Sequence, residues 1–376
     1  MSEKTKRISR IILTNTIRFG LILGFVLGFA ALFGQTNVLA GVALVVGLLM
    51  FPVCDLGLRP GCAALLILAL YPICGIVASL PRPGLLAGML IDFIFVCLLM
   101  VLFAEPAMLK PHINFLLCFL FCRSAPVAGR DFILRILGLI AGGTLIAAAM
   151  LIFQKRAKNI SQRRTLRAQI DLCISNNRAF ILRMAIGIAL AMAAGEALHL
   201  KKSLWITIVV MSLTQPAFCD AVQRIRHRVC ATVVGIALFT ILFDLLIPQQ
   251  YATVGILLLG YCGSFTSAYQ HVQTVNAVSA ITASLVLLDS TTAVWNRVGC
   301  LAGGIVIVLL LYTAQRACGP LAAYLRKQGA ERIQWGHALN GTGRGIESPS
   351  AGTDGFRRIY AGCLIFPANY VMIRSQ

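Results

Sequence analysis

Acidic residues are the scarcest part of this chain: 13 Asp and Glu stand against 33 Lys and Arg in 376 residues, and charged residues together make up only 12%. So little charge cannot solvate a water-soluble fold when 59% of the residues are apolar and the mean hydropathy is +0.85. A soluble enzyme is excluded, and the chain reads as a membrane protein. Polar sequence long enough for a soluble domain is also missing between residues 12 and 315, which excludes a single-anchor arrangement. No Walker A loop, HExxH, GxGxxG opening a helix or nucleophile arrangement occurs, so neither an ATP engine nor an enzyme is expected, and no cofactor is implied. CxxC spacing is absent as well. Most of the 13 cysteines, among them Cys74, Cys97, Cys118, Cys262 and Cys300, lie inside apolar runs, and Cys118 and Cys122 are one helical turn apart. They read as small packing residues, with no metal and no structural disulfide expected.

The formal net charge of +20 would suggest nucleic acid in a soluble protein. In an apolar chain it points to cytoplasmic loops facing anionic lipid instead, with the bilayer as partner and no nucleic acid. Apolar runs between polar breaks place spans at 12–34, 38–53, 62–80, 84–104, 112–122, 132–153, 180–199, 203–219, 229–248, 251–268, 271–289 and 296–315. The run at 112–122 is short enough to be re-entrant. The start, MSEKTKRISRIILTNTIRFG, is basic and then apolar but lacks a small-residue cleavage site, so it reads as a retained first span with a cytoplasmic N-terminus. Lys and Arg concentrate on the segments that this orientation makes cytoplasmic, above all Lys155, Arg156, Lys158, Arg163, Arg164 and Arg167, then Arg224, Arg226 and Arg228. With about 12 transmembrane helices both termini are cytoplasmic.

Polar residues repeat between the halves. Arg18, Cys54, Asp55 and Arg59 recur 165 residues later as Arg183, Cys219, Asp220 and Arg224, and Asn114 and Arg135 recur 162 later as Asn276 and Arg297. The AGG at 141–143 is echoed at 302–304. The expected architecture is therefore an all-α polytopic membrane protein of two parallel six-helix repeats, with a pathway between the halves. Its parts are residues 1–153, a basic cytoplasmic linker at 154–179, a second repeat at 180–325, and a polar, Gly- and Ser-rich cytoplasmic tail at 326–376 expected to be mostly disordered.

Asp92 is the one acidic residue near the middle of an expected span. A carboxylate there costs on the order of 3 kcal/mol on insertion scales, so it is either a proton-coupling group or a carboxyl neutralised by a neighbouring helix. The eleventh span opens with His271, Gln273, Thr274 and Asn276 within two turns, and the fifth carries the sparser His112 and Asn114. His271 is a second proton-coupling candidate; Gln273, Asn276 and Asn114 line a pathway or form interhelical hydrogen bonds. Arg18 and Arg183, like Arg135 and Arg297, stand near the starts of equivalent spans, where guanidinium groups either attract an anionic substrate or snorkel to headgroups. Asp55 with Arg59, and Asp220 with Arg224, are spaced i, i+4 as ion pairs that cap a loop or serve as a cytoplasmic gate.

The segment from Leu204 to Phe239 carries an apolar span with a tryptophan, ending in Gln215 and Pro216, then Arg224, then Arg228 followed by Thr232 and Gly235. With Arg297, Gly299, Gly303 and Gly304 of the last span, this pattern resembles the fusaric acid resistance and aromatic acid exporter family, in a compact branch with only about 25 residues between the halves. Ala231 stands where that family usually has Gly. The resemblance implies a bacterial inner-membrane exporter of aromatic carboxylic acids or similar toxic amphipathic compounds, driven by protons. It also implies work alongside a periplasmic membrane fusion protein and an outer-membrane channel, with a homo-oligomer left open. Two alternatives stand beside it: an organic-anion channel or uniporter without proton coupling, and a non-transporting scaffold or lipid-handling protein.

Overall fold

A computed structural model of the chain describes residues 3–106, 109–154, 163–198, 200, 203–246, 251–265, 269–284 and 290–339. Regular structure among the described residues is helical. The helices are α1 (Glu3–Phe33), α2 (Val38–Met50), α3 (Pro60–Ala78), α4 (Leu85–Phe103), α5 (His112–Ser124), α6 (Gly129–Gln154), α7 (Leu166–Ala197), α8 (Leu204–Leu213), α9 (Phe218–Phe239), α10 (Ala252–Gly263), α11 (Tyr269–Ser284) and α12 (Ser290–Leu339). Each coincides with one apolar run, but their lengths differ from twelve equal crossings. Seven (α1, α3, α4, α6, α7, α9 and α12) are long and apolar enough to span a membrane. The other five have 10 to 16 residues. At 1.5 Å per residue the ten-residue α8 covers about 15 Å, half of a hydrocarbon core of roughly 30 Å.

Two expected boundaries shift. Only residues 163–165 of the linker's described part are non-helical, since α7 begins at Leu166 with Thr165 as its cap, its hydroxyl accepting from the Ala168 amide. The polar start of this helix still has buried positions, Gln169 and Cys173, that face other helices. At the other end α12 continues to Leu339, into the expected tail, whereas Lys155, Arg156, Lys158 and residues 340–376 lie outside the described residues.

Helix α4 lies along α7 and joins the two halves of the chain, while α3 packs on α5 and α6, α9 on α11, and α12 on α8. Close approach depends on missing side chains. A Cβ at Gly235 would run into Ala277 of α11, and one at Gly304 into Val209 of α8, so both family glycines sit where helix backbones nearly touch. The core of the first half is tied by Asn114, whose amide donates to the Ala43 carbonyl at 2.9 Å while its Oδ1 accepts from the Tyr71 hydroxyl at 2.5 Å. Asn114 thus links α2, α3 and α5, the interhelical role left open by the sequence. Arg135 has a similar structural part: it donates to Asn37 Oδ1 at 2.8 Å and to the carbonyls of Cys122, Ala125 and Thr36, fastening the α1–α2 turn to the end of α5.

Gly47 is the position that lets the Asn114 tie form, because a methyl group there would overlap the Tyr71 hydroxyl. Tyr71→Phe is expected to lower stability by about 1–3 kcal/mol, since it leaves the buried Asn114 oxygen without its donor. Gly47→Ala should destabilise the wild type further but have a smaller effect in the Tyr71→Phe background, where the clashing oxygen is gone. Thermal unfolding of the four proteins in detergent checks this; equal effects of Gly47→Ala in both backgrounds would contradict it.

Candidate functional site

Helix α8 stops at Leu213, and α9 starts only at Phe218 because Pro216 cannot donate to a continuing helix. Thr214 and Gln215 of the intervening turn are nonetheless buried, 1% and 4% exposed. A helix end inside a membrane protein must hand its last carbonyls to protein donors, because lipid supplies none. Here cationic side chains do most of that. Arg183 of α7 donates to the carbonyls of Gln215 at 3.0 Å and Pro216 at 2.7 Å, and to Gln315 of α12. Arg224 reaches the Ser212 carbonyl at 3.2 Å and Arg228 the Ser212 hydroxyl. The Gln215 amide turns back onto the carbonyls of Ser212 and Thr214. Tyr312 of α12 donates to the Gln215 carbonyl and accepts from its amide, with the Arg183 guanidinium 4.3 Å from the Tyr312 ring centroid.

From the first half, Lys110 in the α4–α5 connection donates from Nζ to Gln215 Oε1 at 2.6 Å. Burial, then the charge of Arg224, lowers its pKa to about 8 against an opposing pull from Asp220. Four cations therefore converge on a neutral turn, and the negative end of the α8 dipole is what they share. Lys110 is missing from the sequence-derived set. Its signal was available: it is a lysine beside Pro111 in a short connection whose other charged residue is Glu105.

The structure brings together Arg183, Gln215, Pro216, Arg224 and Arg228, with Asp220 beside them and Arg297 within the field of Arg228, and it places Arg18, Asn114, Arg135, His271 and Asp92 elsewhere. Arg183 is a backbone clamp, with two of its donors engaged on the turn. Its repeat partner Arg18 is half-buried on α1, near the contact of Thr16 and Phe19 with Tyr261 of α10. Arg297 is buried over the Trp205 ring, 5.1 Å from the centroid. On α11, His271 and Asn276 are exposed and Gln273 is half-buried, so the repeat partner of the buried Asn114 does not share its setting. His112 is buried, with Nδ1 3.1 Å from the Phe103 carbonyl. Thr232, one turn after Arg228, and Ala231 are buried in α9, while Cβ space at Gly303 is limited by Ile206 and Gly299 meets nothing. The Asp55–Arg59 pair is replaced. Asp55 meets Arg163 at 3.7 Å and accepts from the Gly57 amide, whereas Arg59 is an exposed residue ahead of α3. Half-buried Asp220 lies in the first turn of α9, where its charge suits the helix dipole.

Asp92 lies away from this turn, in the N-terminal half of α4. Its Oδ1 accepts from Arg82 Nη2 at 2.7 Å, and the two side chains are 3% and 10% exposed. Arg82 also donates to the carbonyls of Ala78 and Leu80, closing the α3–α4 loop over the carboxylate. A second ion pair, Arg123 with Glu196, joins α5 to α7 close enough for its charges to act on Asp92. It borders a small surface depression that Ser124, Ser203 and Thr207 also line.

Because the Arg82–Asp92 pair is buried, removing one member should be worse than removing both. Arg82→Gln is expected to cost about 3–5 kcal/mol by leaving the carboxylate unpaired, and adding Asp92→Asn should recover most of it. Unfolding temperatures of the single and double variants measure this; a double variant no more stable than Arg82→Gln alone would show that the pair is not coupled.

No curated protein and no solved structure gives a significant match to the chain. One family model does match, over residues 190–311, which run from the end of α7 through the clamped turn into α12. It is described as fusaric acid resistance protein-like and covers about a third of the chain, the part that carries the Gln215, Pro216, Arg224 and Arg228 pattern, while the seven helices of spanning length mark a multi-pass membrane protein.

Proposed function

We propose that the chain is a proton-driven exporter in a bacterial inner membrane, carrying aromatic carboxylic acids or similar amphipathic toxic compounds out of the cytoplasm. The observation that carries this reading is a succession of cations, one half-buried and three buried. Lys110 and Arg224 stand at the clamped turn, Arg228 follows one helical turn deeper on α9, and its charge reaches Arg297 on α12. An organic anion moving along α9 would always have a guanidinium ahead of it, and its aromatic part would meet apolar helix faces. In this reading the excess of Lys and Arg puts the clamped turn and both termini on the cytoplasmic side, so the cations begin where an exported carboxylate is collected.

Asp92 then lies toward the outer side, where protons enter. Protonation there would cancel its attraction for Arg82 and release the α3–α4 loop, a two-state element of the kind that couples a gradient to movement. The two-repeat reading gains support from matching neighbours: α1–α2, α2–α6, α3–α5 and α4–α5 contacts have counterparts in α7–α8, α8–α12, α9–α11 and α10–α11. The chain works without covalent chemistry. A periplasmic fusion protein and an outer-membrane channel would complete the route out of the cell.

The test is growth protection. Cells lacking their own exporters, expressing this chain and challenged with a panel of aromatic acids, should survive higher concentrations than controls, and an uncoupler should abolish the advantage. The Asp92→Asn, Arg82→Gln double variant, folded but without the titratable pair, should lose uphill export while retaining downhill flux. Full protection by that variant would remove Asp92 from coupling, and no protection by the wild type for any acid would defeat the export reading.

A further inference from the structure

Lys110, unlike Arg183 and Arg224, donates to no backbone carbonyl of the clamped turn. An ammonium carries three donors, and the hydrogen bond that Lys110 Nζ makes is to a neutral amide oxygen, Gln215 Oε1. Among the described residues no carboxylate lies within ion-pair distance of it. Its backbone is also in the left-handed region, with φ at 49°, an uncommon conformation for a residue with a side chain. That conformation follows the turn in which the amides of Leu109 and Lys110 both approach the Pro106 carbonyl, so the connection holds the ammonium against the second half of the chain. Pro216 and Ala217, the next residues of the turn, are exposed at the protein surface. A half-buried ammonium in a setting of like charge, with an exchangeable neutral partner, has the chemistry of a group waiting for an anion.

We propose that Lys110 is the receiving group for the substrate's carboxylate at the cytoplasmic entrance, and that the incoming carboxylate takes the place of Gln215 Oε1 on its ammonium. This deepens the export reading and rests on it. Arg183, Arg224 and Arg228 keep the turn in place, while Lys110 is released from Gln215 as the ligand arrives, so one exchange both binds substrate and uncouples the first half from the broken helix. A phospholipid phosphate at the same depth offers similar oxyanion chemistry, which the experiment separates.

The experiment is calorimetric titration of the purified full-length protein with benzoate, and with benzyl alcohol as the neutral counterpart, in detergent and in phosphatidylcholine nanodiscs with and without phosphatidylglycerol. Wild type is expected to bind benzoate and to discriminate against the alcohol. Lys110→Met should weaken benzoate at least tenfold with little effect on the alcohol, and Lys110→Arg should restore binding. Wild-type affinity for benzoate, which stays ionised throughout, should be about tenfold lower at pH 9 than at pH 7, because an ammonium titrating near 8 is charged below that pH and neutral above it.

The charged and titratable groups whose fields bear on Lys110 are Arg224, Asp220 and His112, with Cys219 beside Asp220. Lys110→Arg serves as the control, because a guanidinium keeps its charge across this interval, and it should bind equally at both pH values. Three results overturn the proposal: unchanged benzoate binding in Lys110→Met, a pH fall that persists in Lys110→Arg, or benzoate binding lost only in phosphatidylglycerol discs, which gives the site to a headgroup. Benzoate binding with this pattern in a protein that confers no growth protection would keep the Lys110 site and defeat the export reading alone.

Discussion

A helix that ends within a membrane protein has to find donors for its last carbonyls inside the protein, and this requirement organises the second half of the chain. Pro216 ends the run that begins in α8, and the exposed carbonyls of Ser212, Gln215 and Pro216 collect Arg224, Arg183 and the Tyr312 hydroxyl. Once these are in place, α7, α8, α9 and α12 are fixed to one another at a single turn. An unpaired buried carbonyl would cost about 1–3 kcal/mol, so the arginines of α7 and α9 serve the fold before they serve any ligand. Charge gathered for this purpose leaves a strongly positive neighbourhood around a neutral turn, and from that surplus an anion site can arise at little further cost.

The two ends of the α4–α7 contact differ in kind. At the linker end the ties are neutral or singly charged: Gln169 to the Glu105 carbonyl, Asn177 to the Glu105 carboxylate, and Lys110 to Gln215. At the other end they are ion pairs, Arg82 with Asp92 and Arg123 with Glu196. Neutral hydrogen bonds exchange readily with an arriving anion, whereas ion pairs respond to protonation. The separation of the two types along one interface suits the two tasks that the proposed export reading assigns, collecting a carboxylate and sensing a proton gradient.

Much of this was legible in the sequence. Apolar runs located all twelve helices, because hydropathy and helix length follow from the same requirement to satisfy the backbone out of water. The Gln215–Pro216 motif, with Arg224 and Arg228 at helical spacing, marked the turn that the structure shows to be clamped. What the sequence did not carry was partnership. Arg135 and Asn114 looked like pathway residues because they are polar in apolar surroundings, yet they are consumed by carbonyls and a hydroxyl contributed by distant segments, Thr36, Cys122, Ala43 and Tyr71. Asp92 appeared isolated because its partner Arg82 sits in a loop ten residues away, and only folding the loop over α4 brings them together. The polar residues 166–179 read as linker because their hydrophilic face hid a buried one. Lys110 escaped notice since its acceptor is 105 residues distant.

The central claim is that the clamped turn receives an anion at Lys110. An experimental structure of the protein with 4-iodobenzoate, its iodine located by anomalous scattering, tests this most directly. The account predicts one bound ligand at the α8–α9 turn, with its carboxylate about 3 Å from Lys110 Nζ and Gln215 Oε1 displaced, while Arg183 stays on the Gln215 and Pro216 carbonyls. A ligand bound elsewhere, with Lys110 still donating to Gln215, would contradict it.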